Sequence, residues 1–171
     1  MHNLKKFFIF LFAIFFYSSY VLSVESNIFF IDLDYLLKNS NLGKNILKDL
    51  DDLNKKNINL LKKDEEKLKK IDDEITNTKN VIKKDELEKK VLSFRNEIKI
   101  FEEKKKNFDN EFLNSKTNKL NDFMNKISPI IQNYMKDNSI TILLDKKNIF
   151  IGASEYDITE NVILIIDQNF K

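Results

Sequence analysis

The sequence predicts an α+β protein, in which a small three-stranded base carries a long antiparallel helical hairpin of coiled-coil type. Two observations predict this class. Short apolar stretches of strand-like composition lie near both ends of the chain, and two long charged segments without internal glycine or proline separate them. Hydrophobic residues recur along both segments at spacings of three and four, the period of an amphipathic helix.

The N-terminus has the layout of a secretory signal peptide. Lys5 and Lys6 precede an apolar run from Phe7 to Tyr17, and small and polar residues follow. We predict a signal over residues 1–23 with cleavage after Ser23. The alternative is an uncleaved anchor, but a run of about 11 residues is short of the roughly 20 that span a bilayer. The sequence therefore predicts export from the cytoplasm.

Charge and composition disfavour nucleic-acid binding and catalysis. Removing Lys5 and Lys6 with the signal leaves 27 of the 29 basic residues against 27 acidic ones, so no excess of positive charge favours a polyanion. The chain has no cysteine, and its one histidine, His2, lies in the signal. The usual nucleophile–base pairs and zinc ligands are therefore missing. Asp72-Asp73-Glu74 or the Asp32-x-Asp34 pair could serve acid–base chemistry or calcium, but no EF-hand spacing occurs. We expect no enzymatic activity and no cofactor.

The base is predicted from residues 24–43 and 127–171. Asn27 to Leu33 reads as a buried strand, and two apolar runs around Lys146-Lys147-Asn148 read as a β-hairpin. A hairpin alone is marginal in water, so the N-terminal strand is expected to complete the sheet. Pro129 should kink or restart the helix before it, and Asp157 to Glu160 resembles a capping box for a terminal helix. The candidate residues of the base core and of its contact with other copies are Ile28, Phe30, Ile31, Ile140, Ile142, Leu144, Ile149 and Ile151.

The helical hairpin is predicted over residues 44–126, with its turn near residues 76–82. The second helix alone would extend roughly 65 Å, too long to stand without the first. Asn57, Asp64 and Lys105 interrupt the apolar seam. The predicted seam residues are Leu50, Leu53, Leu68, Ile71, Ile75, Leu87, Val91, Phe94, Ile98, Phe101, Phe108 and Phe112.

This order of elements resembles the Skp/OmpH family of periplasmic chaperones for outer-membrane proteins. The matching stretches are Ile28 to Leu37, Leu87 to Val91, Ile140 to Asp145 and Asp157 to Thr159. The resemblance implies a periplasmic homotrimer, in which three helical hairpins hang from a central body and hold unfolded β-barrel proteins without ATP. Leu92, Ile100 and Leu113 widen the apolar stripe and are the candidate client-binding residues, although ordinary packing would also explain them.

The chain departs from the family pattern in two ways. It is balanced in charge, whereas members are typically basic, but Lys79, Lys83 and Lys84 remain as a basic tip for peripheral membrane contact. The segment NFDNEFLNSKTNK contains no arginine, so lipopolysaccharide binding is not expected. The alternative function is an exported or membrane-tethered coiled-coil scaffold that binds one folded partner.

Overall fold

The computed structural model describes residues 27–170, so the predicted signal over residues 1–23 lies outside the described part of the chain. The structure confirms the α+β class, with a long helical hairpin and a small pair of strands. In chain order the elements are β1 (Ile28–Ile31), α1 (Leu33–Asn39), α2 (Asn41–Thr78), α3 (Lys84–Asp137), β2 (Ile142–Asp145), two 3₁₀ turns (Lys146–Asn148 and Ser154–Tyr156) and α4 (Thr159–Asn169).

The strands β1 and β2 form a parallel pair, although more than a hundred residues separate them. Ile28 lies opposite Ile142, and the register continues to Ile31 opposite Asp145. Parallel strands need a long crossover connection, which α1, α2 and α3 provide here. On the C-terminal side, Phe30 also bridges to Asp157, and the Ile158 N–H donates to the Phe30 carbonyl at 3.0 Å. The segments at both ends of residues 27–170 therefore meet in one base.

The prediction of a C-terminal β-hairpin was wrong in its second strand. The sheet in the described residues has two strands, and Ile149 to Ile151 belong to neither. Tight hairpins use turns with positive φ, whereas Ser139 is the only residue between 27 and 170 with such a value. Instead, Asp145 Oδ1 accepts from the Lys147 N–H at 3.1 Å and caps a 3₁₀ turn. The chain consequently leaves the sheet, and the side chain of Ile151 is 85% exposed.

The core of the base lies where α1, the ends of α2 and α3 near the sheet, and α4 converge. Leu36, Ile127, Val162 and Ile166 are fully buried, and Ile31 and Ile140 join the same cluster. In α4, Val162, Ile163 and Ile166 recur at helical spacing on one face. The predicted capping box takes another form, because Asp157 Oδ1 accepts from the Thr159 N–H at 3.0 Å.

The helices α2 and α3 pack antiparallel as the helical hairpin. Their 38 and 54 residues correspond to lengths of about 57 and 81 Å. The predicted restart at Pro129 does not occur, since α3 runs from Lys84 through Asp137. Ile127 and Ile131 on either side of the proline are both buried in the base, which holds the helix together across the missing hydrogen bond.

Candidate functional site

The interface between α2 and α3 is a seam of half-buried side chains that becomes fully buried only near the base. Leu50 is buried, and the other predicted seam residues are half-buried except Ile98, which is 38% exposed. Lys104 is half-buried in the seam, whereas Lys105 is exposed. The seam therefore runs through Phe101, Lys104 and Phe108, and Ile98 lies at its edge.

The helical hairpin has an apolar face beside this seam. In an α-helix, the residue after a seam residue is rotated by about 100° to one side of it. Because the two helices are antiparallel, this rotation brings the following residue of each helix to the same face. The exposed hydrophobic residues in this position, which we call the apolar face, are Leu47, Ile58, Leu92, Leu113 and Met124.

The opposite face, which we call the charged face, carries charged side chains beside apolar ones. Its groove has a volume of about 310 Å³ and is flanked by Lys67, Glu97 and Lys104. Ile100 precedes the seam residue Phe101 and lies in this groove, with its side chain 50% exposed. The three candidate client-binding residues are thus all exposed, but they lie on two faces: Leu92 and Leu113 on the apolar face, and Ile100 on the opposite one.

A groove in the apolar face contains a buried polar residue. The groove has a volume of about 390 Å³, and Ile58 and Leu113 line it together with Phe108 and Phe112. Asn57 also lines it and is only 6% exposed, and its Nδ2 atom has no hydrogen-bond partner. From the sequence, Asn57 was recognisable only as an interruption of the seam.

Ion pairs between the helices fix the register of the hairpin. Lys119 contacts Asp49 at 2.8 Å, Lys104 contacts Asp64 at 2.5 Å, and Lys90 contacts Glu74 at 2.8 Å. The hydrogen bond from Lys104 lowers the pKa of Asp64, and that from Lys90 lowers the pKa of Glu74. Glu74, considered above as a possible acid–base group, is therefore part of a structural ion pair.

The base exposes a second apolar surface. Phe30, Ile31 and Ile140 are buried and Ile149 is half-buried, whereas Ile28, Ile142 and Leu144 remain more than 40% exposed. The ring of Phe150 is fully exposed beyond the 3₁₀ turn. A cavity of about 340 Å³ is lined by Leu144 of β2 and by Met124 of the apolar face. The two apolar surfaces are therefore continuous at this cavity.

The tip of the hairpin presents three exposed lysines and one exposed hydrophobic residue, with Asp85 and Glu86 following in the first turn of α3. Lys79, Lys83 and Lys84 are all exposed at the connection between α2 and α3. Val81 lies among them and is 84% exposed. The three lysines are recognisable in the sequence, whereas Val81 is not, because it lies outside the helical repeat.

Asp32, the first carboxylate of the Asp32-x-Asp34 pair, has structural partners. Asp32 Oδ1 accepts from the Tyr35 N–H at 2.8 Å and caps α1, while the Asp32 N–H donates to Thr159 Oγ1 at 2.8 Å. Asp32 and Tyr35 border a cavity of about 270 Å³ in which Lys146 contacts Asp157 at 2.8 Å. Hydrogen bonding to Glu160 raises the pKa of Tyr35, whereas Lys146 and Thr159 hold the pKa of Asp157 below its usual value despite burial. These contacts tie the two ends of the chain together.

The fold defines a class of elongated proteins in which a small base presents a helical hairpin with exposed apolar side chains. The family model described as outer membrane protein (OmpH-like) matches residues 27–165, and the chain belongs to this OmpH-like family. Among solved structures it is similar to a protein from Caulobacter crescentus CB15 described as an OmpH-like outer membrane chaperone. That structure has a TM-score of 0.78 and 17% sequence identity, over 85% of this chain and 86% of the other. A search of curated proteins finds no match.

The family match confirms the resemblance drawn from the sequence. At 17% identity, the structural neighbour supports the fold but assigns no activity. Within residues 27–170, no helix combines the length and apolar character needed to cross a membrane.

Proposed function

We propose that this protein is a periplasmic, ATP-independent holdase chaperone that binds unfolded outer-membrane β-barrel proteins. The observation that carries the proposal is the apolar face of the helical hairpin, where Ile58, Leu92 and Leu113 are each more than half exposed. The hydrophobic effect favours covering these side chains with apolar groups of an unfolded chain. Membership of the OmpH-like family supports a chaperone role, as does the description of the Caulobacter crescentus neighbour as an outer membrane chaperone.

Weak apolar contacts at several points suit a client without fixed structure. A folded partner offers one complementary surface, whereas an unfolded chain can place hydrophobic side chains wherever the holdase exposes them. The hairpin needs neither a nucleotide nor a catalytic group for such binding. Release would follow when the client folds and withdraws its apolar side chains.

The base is proposed to join three chains into a homotrimer. Ile28, Ile142 and Leu144 present partly exposed side chains along the strand pair, whereas Ile31 of the same pair is buried in the core of the base. Association through this surface would bring three hairpins around a shared space. Lys79, Lys83 and Lys84 at the tips are proposed to make peripheral contact with anionic membrane surfaces.

The test uses the mature chain from about Val24 and a urea-denatured outer-membrane β-barrel protein. On dilution of the urea, we expect the client to remain soluble at near-stoichiometric amounts of chaperone, as measured by light scattering. Native mass should be three times that of one chain. A monomer that leaves client aggregation unchanged would overturn the proposal.

The second candidate function is an exported coiled-coil scaffold for one folded partner, which the long hairpin and its exposed apolar face would also serve. A scaffold should bind one partner specifically and should leave aggregation of unrelated barrels unchanged. The same light-scattering experiment with two different barrel proteins therefore separates the two functions.

A further inference from the structure

We infer that the groove around Asn57 is a binding site for an extended strand segment of the unfolded client. In this site, client side chains pack between Ile58 and Leu113, and a client backbone carbonyl accepts a hydrogen bond from Asn57 Nδ2. The inference rests on the proposed function. It places the contacts between the client and the hairpin on the apolar face and on one polar atom, Asn57 Nδ2.

The first support is the unpaired amide. Asn57 is 6% exposed and its Nδ2 atom is buried without a partner. Buried polar groups are nearly always hydrogen-bonded, because leaving a donor unsatisfied away from water is costly. An acceptor brought by a ligand would remove that cost, so binding is favoured at this position over neighbouring parts of the seam.

The second support is how loosely the groove is covered. Ile58 and Leu113 flank Asn57 on the apolar face and are 53% and 59% exposed. Side chains with so few packing contacts can part at little cost and admit a ligand to the amide. The groove volume of about 390 Å³ lies within the range of ligand-binding pockets.

The unpaired donor of Asn57 favours an extended occupant, and the spacing of the apolar face allows one. On α2, Leu47 lies 11 residues nearer the base than Ile58, and on α3, Met124 lies 11 residues nearer the base than Leu113. Eleven residues correspond to about 16 Å along a helix. An amphipathic helix could span the same distance, but its backbone carbonyls are already hydrogen-bonded within the helix and leave no acceptor for Asn57 Nδ2. An extended chain covers about 16 Å with five residues, so one strand can reach both levels.

Unfolded barrel strands supply the matching chemistry. Each transmembrane strand has about ten residues with alternating apolar and polar side chains. In a chain outside its sheet, the backbone carbonyls that would pair with a neighbouring strand are free. Such a segment therefore offers apolar side chains on one edge and the acceptor that Asn57 lacks.

The first experiment maps the client on the two faces of the hairpin. A photo-crosslinking amino acid, p-benzoylphenylalanine, is placed at Leu113 in the full mature chain, with Ile100 on the charged face as the matched control. We expect crosslinks to a urea-denatured β-barrel protein from position 113 and few from position 100. Crosslinks from position 100 alone or equally from both would overturn the inference while leaving the holdase function intact. Crosslinks between copies of this chain at position 113 would show a second copy as the occupant and also overturn it.

The second experiment tests the amide. Asn57→Leu should raise the melting temperature, because it replaces an unsatisfied donor in the seam by an apolar side chain. The same variant should weaken client affinity by roughly fivefold, equivalent to one net hydrogen bond. Unchanged or tighter affinity in a stabilised variant would overturn the role of Asn57. If the unaltered chain fails to keep any client soluble, the proposed function falls and this inference with it.

Discussion

Gly43 is predicted to be required where α1 turns into α2, and Gly43→Ala tests this. A Cβ atom at this position would lie 2.7 and 2.8 Å from the carbonyl carbon and Cα of Leu37, and closer still to its carbonyl oxygen. Carbon atoms in contact normally lie about 3.5–4.0 Å apart. The neighbouring backbone would therefore have to move by nearly 1 Å, because no flexible side chain can yield.

The expected cost follows from three contributions. Overpacking of this kind costs about 1–3 kcal/mol. The same movement strains the cap of α2, where the Gly43 N–H donates to Oγ of the fully buried Ser40 at 3.1 Å, and losing such a cap costs about 1 kcal/mol. Replacing glycine by alanine within a helix returns about 1 kcal/mol. We expect a net loss of about 1–3 kcal/mol in the free energy of unfolding.

Urea unfolding followed by circular dichroism at 222 nm measures this loss, at one fixed protein concentration so that association does not alter the comparison. Asn118→Ala, at an exposed position within α3, is the control for helix propensity and should gain a few tenths of a kcal/mol. If Gly43→Ala instead raises the free energy of unfolding by about 1 kcal/mol, helix propensity alone explains the effect of the substitution. The close approach of the Leu37 backbone is then refuted.

Three further predictions concern the hairpin and the base. Because Lys104 holds the pKa of folded Asp64 below its unfolded value, the ion pair should stabilise fully above about pH 4 and lose its effect as the pH falls through the folded pKa. Asp64→Asn should accordingly lower the urea midpoint at pH 7 and by less at pH 2, whereas Asp51→Asn, which breaks a pair within α2, should change it little at either pH. Leu144→Lys should reduce the native mass measured by light scattering without loss of helix content, and a variant that keeps the parent mass would argue against assembly through β2. Pro129→Ala should raise the free energy of unfolding by about 1–3 kcal/mol because it restores one helical hydrogen bond; an unchanged urea midpoint would show that α3 already compensates for the proline.

The fold was largely predictable because its strongest signals are periodic and local. Apolar spacings of three and four indicated both long helices, and the need to cover the C-terminal strand indicated that the chain ends meet. The error at Ile149 to Ile151 arose because an apolar run can form a strand or lie exposed, and only the turn geometry decides between them. Here the Asp145 cap directs the chain out of the sheet. The alternation of apolar and polar residues in the sequence does not reveal this change of direction.

The candidate site was less predictable for a related reason. Leu92, Ile100 and Leu113 lie outside the heptad seam. The sequence does not show on which side of the seam each of them lies, because that depends on which residues form the seam. The structure places the seam through Lys104, which pairs with Asp64 across the helices, rather than through Lys105. With the seam in this position, Ile100 lies on the opposite face of the hairpin from Leu92 and Leu113. The missing hydrogen bond of the Asn57 amide depends on packing and cannot be read from the sequence.

The parallel pairing of β1 and β2 makes the helical hairpin an insertion whose length is independent of the base. Both strands, α1 and α4 are fixed to one another by contacts such as that between Asp32 and Thr159. Matched insertions or deletions of seven residues in α2 and α3 would change the reach of the hairpin by about 10 Å while leaving those contacts untouched. Evolution can therefore adjust the reach of the hairpin without redesigning the base that holds its two helices.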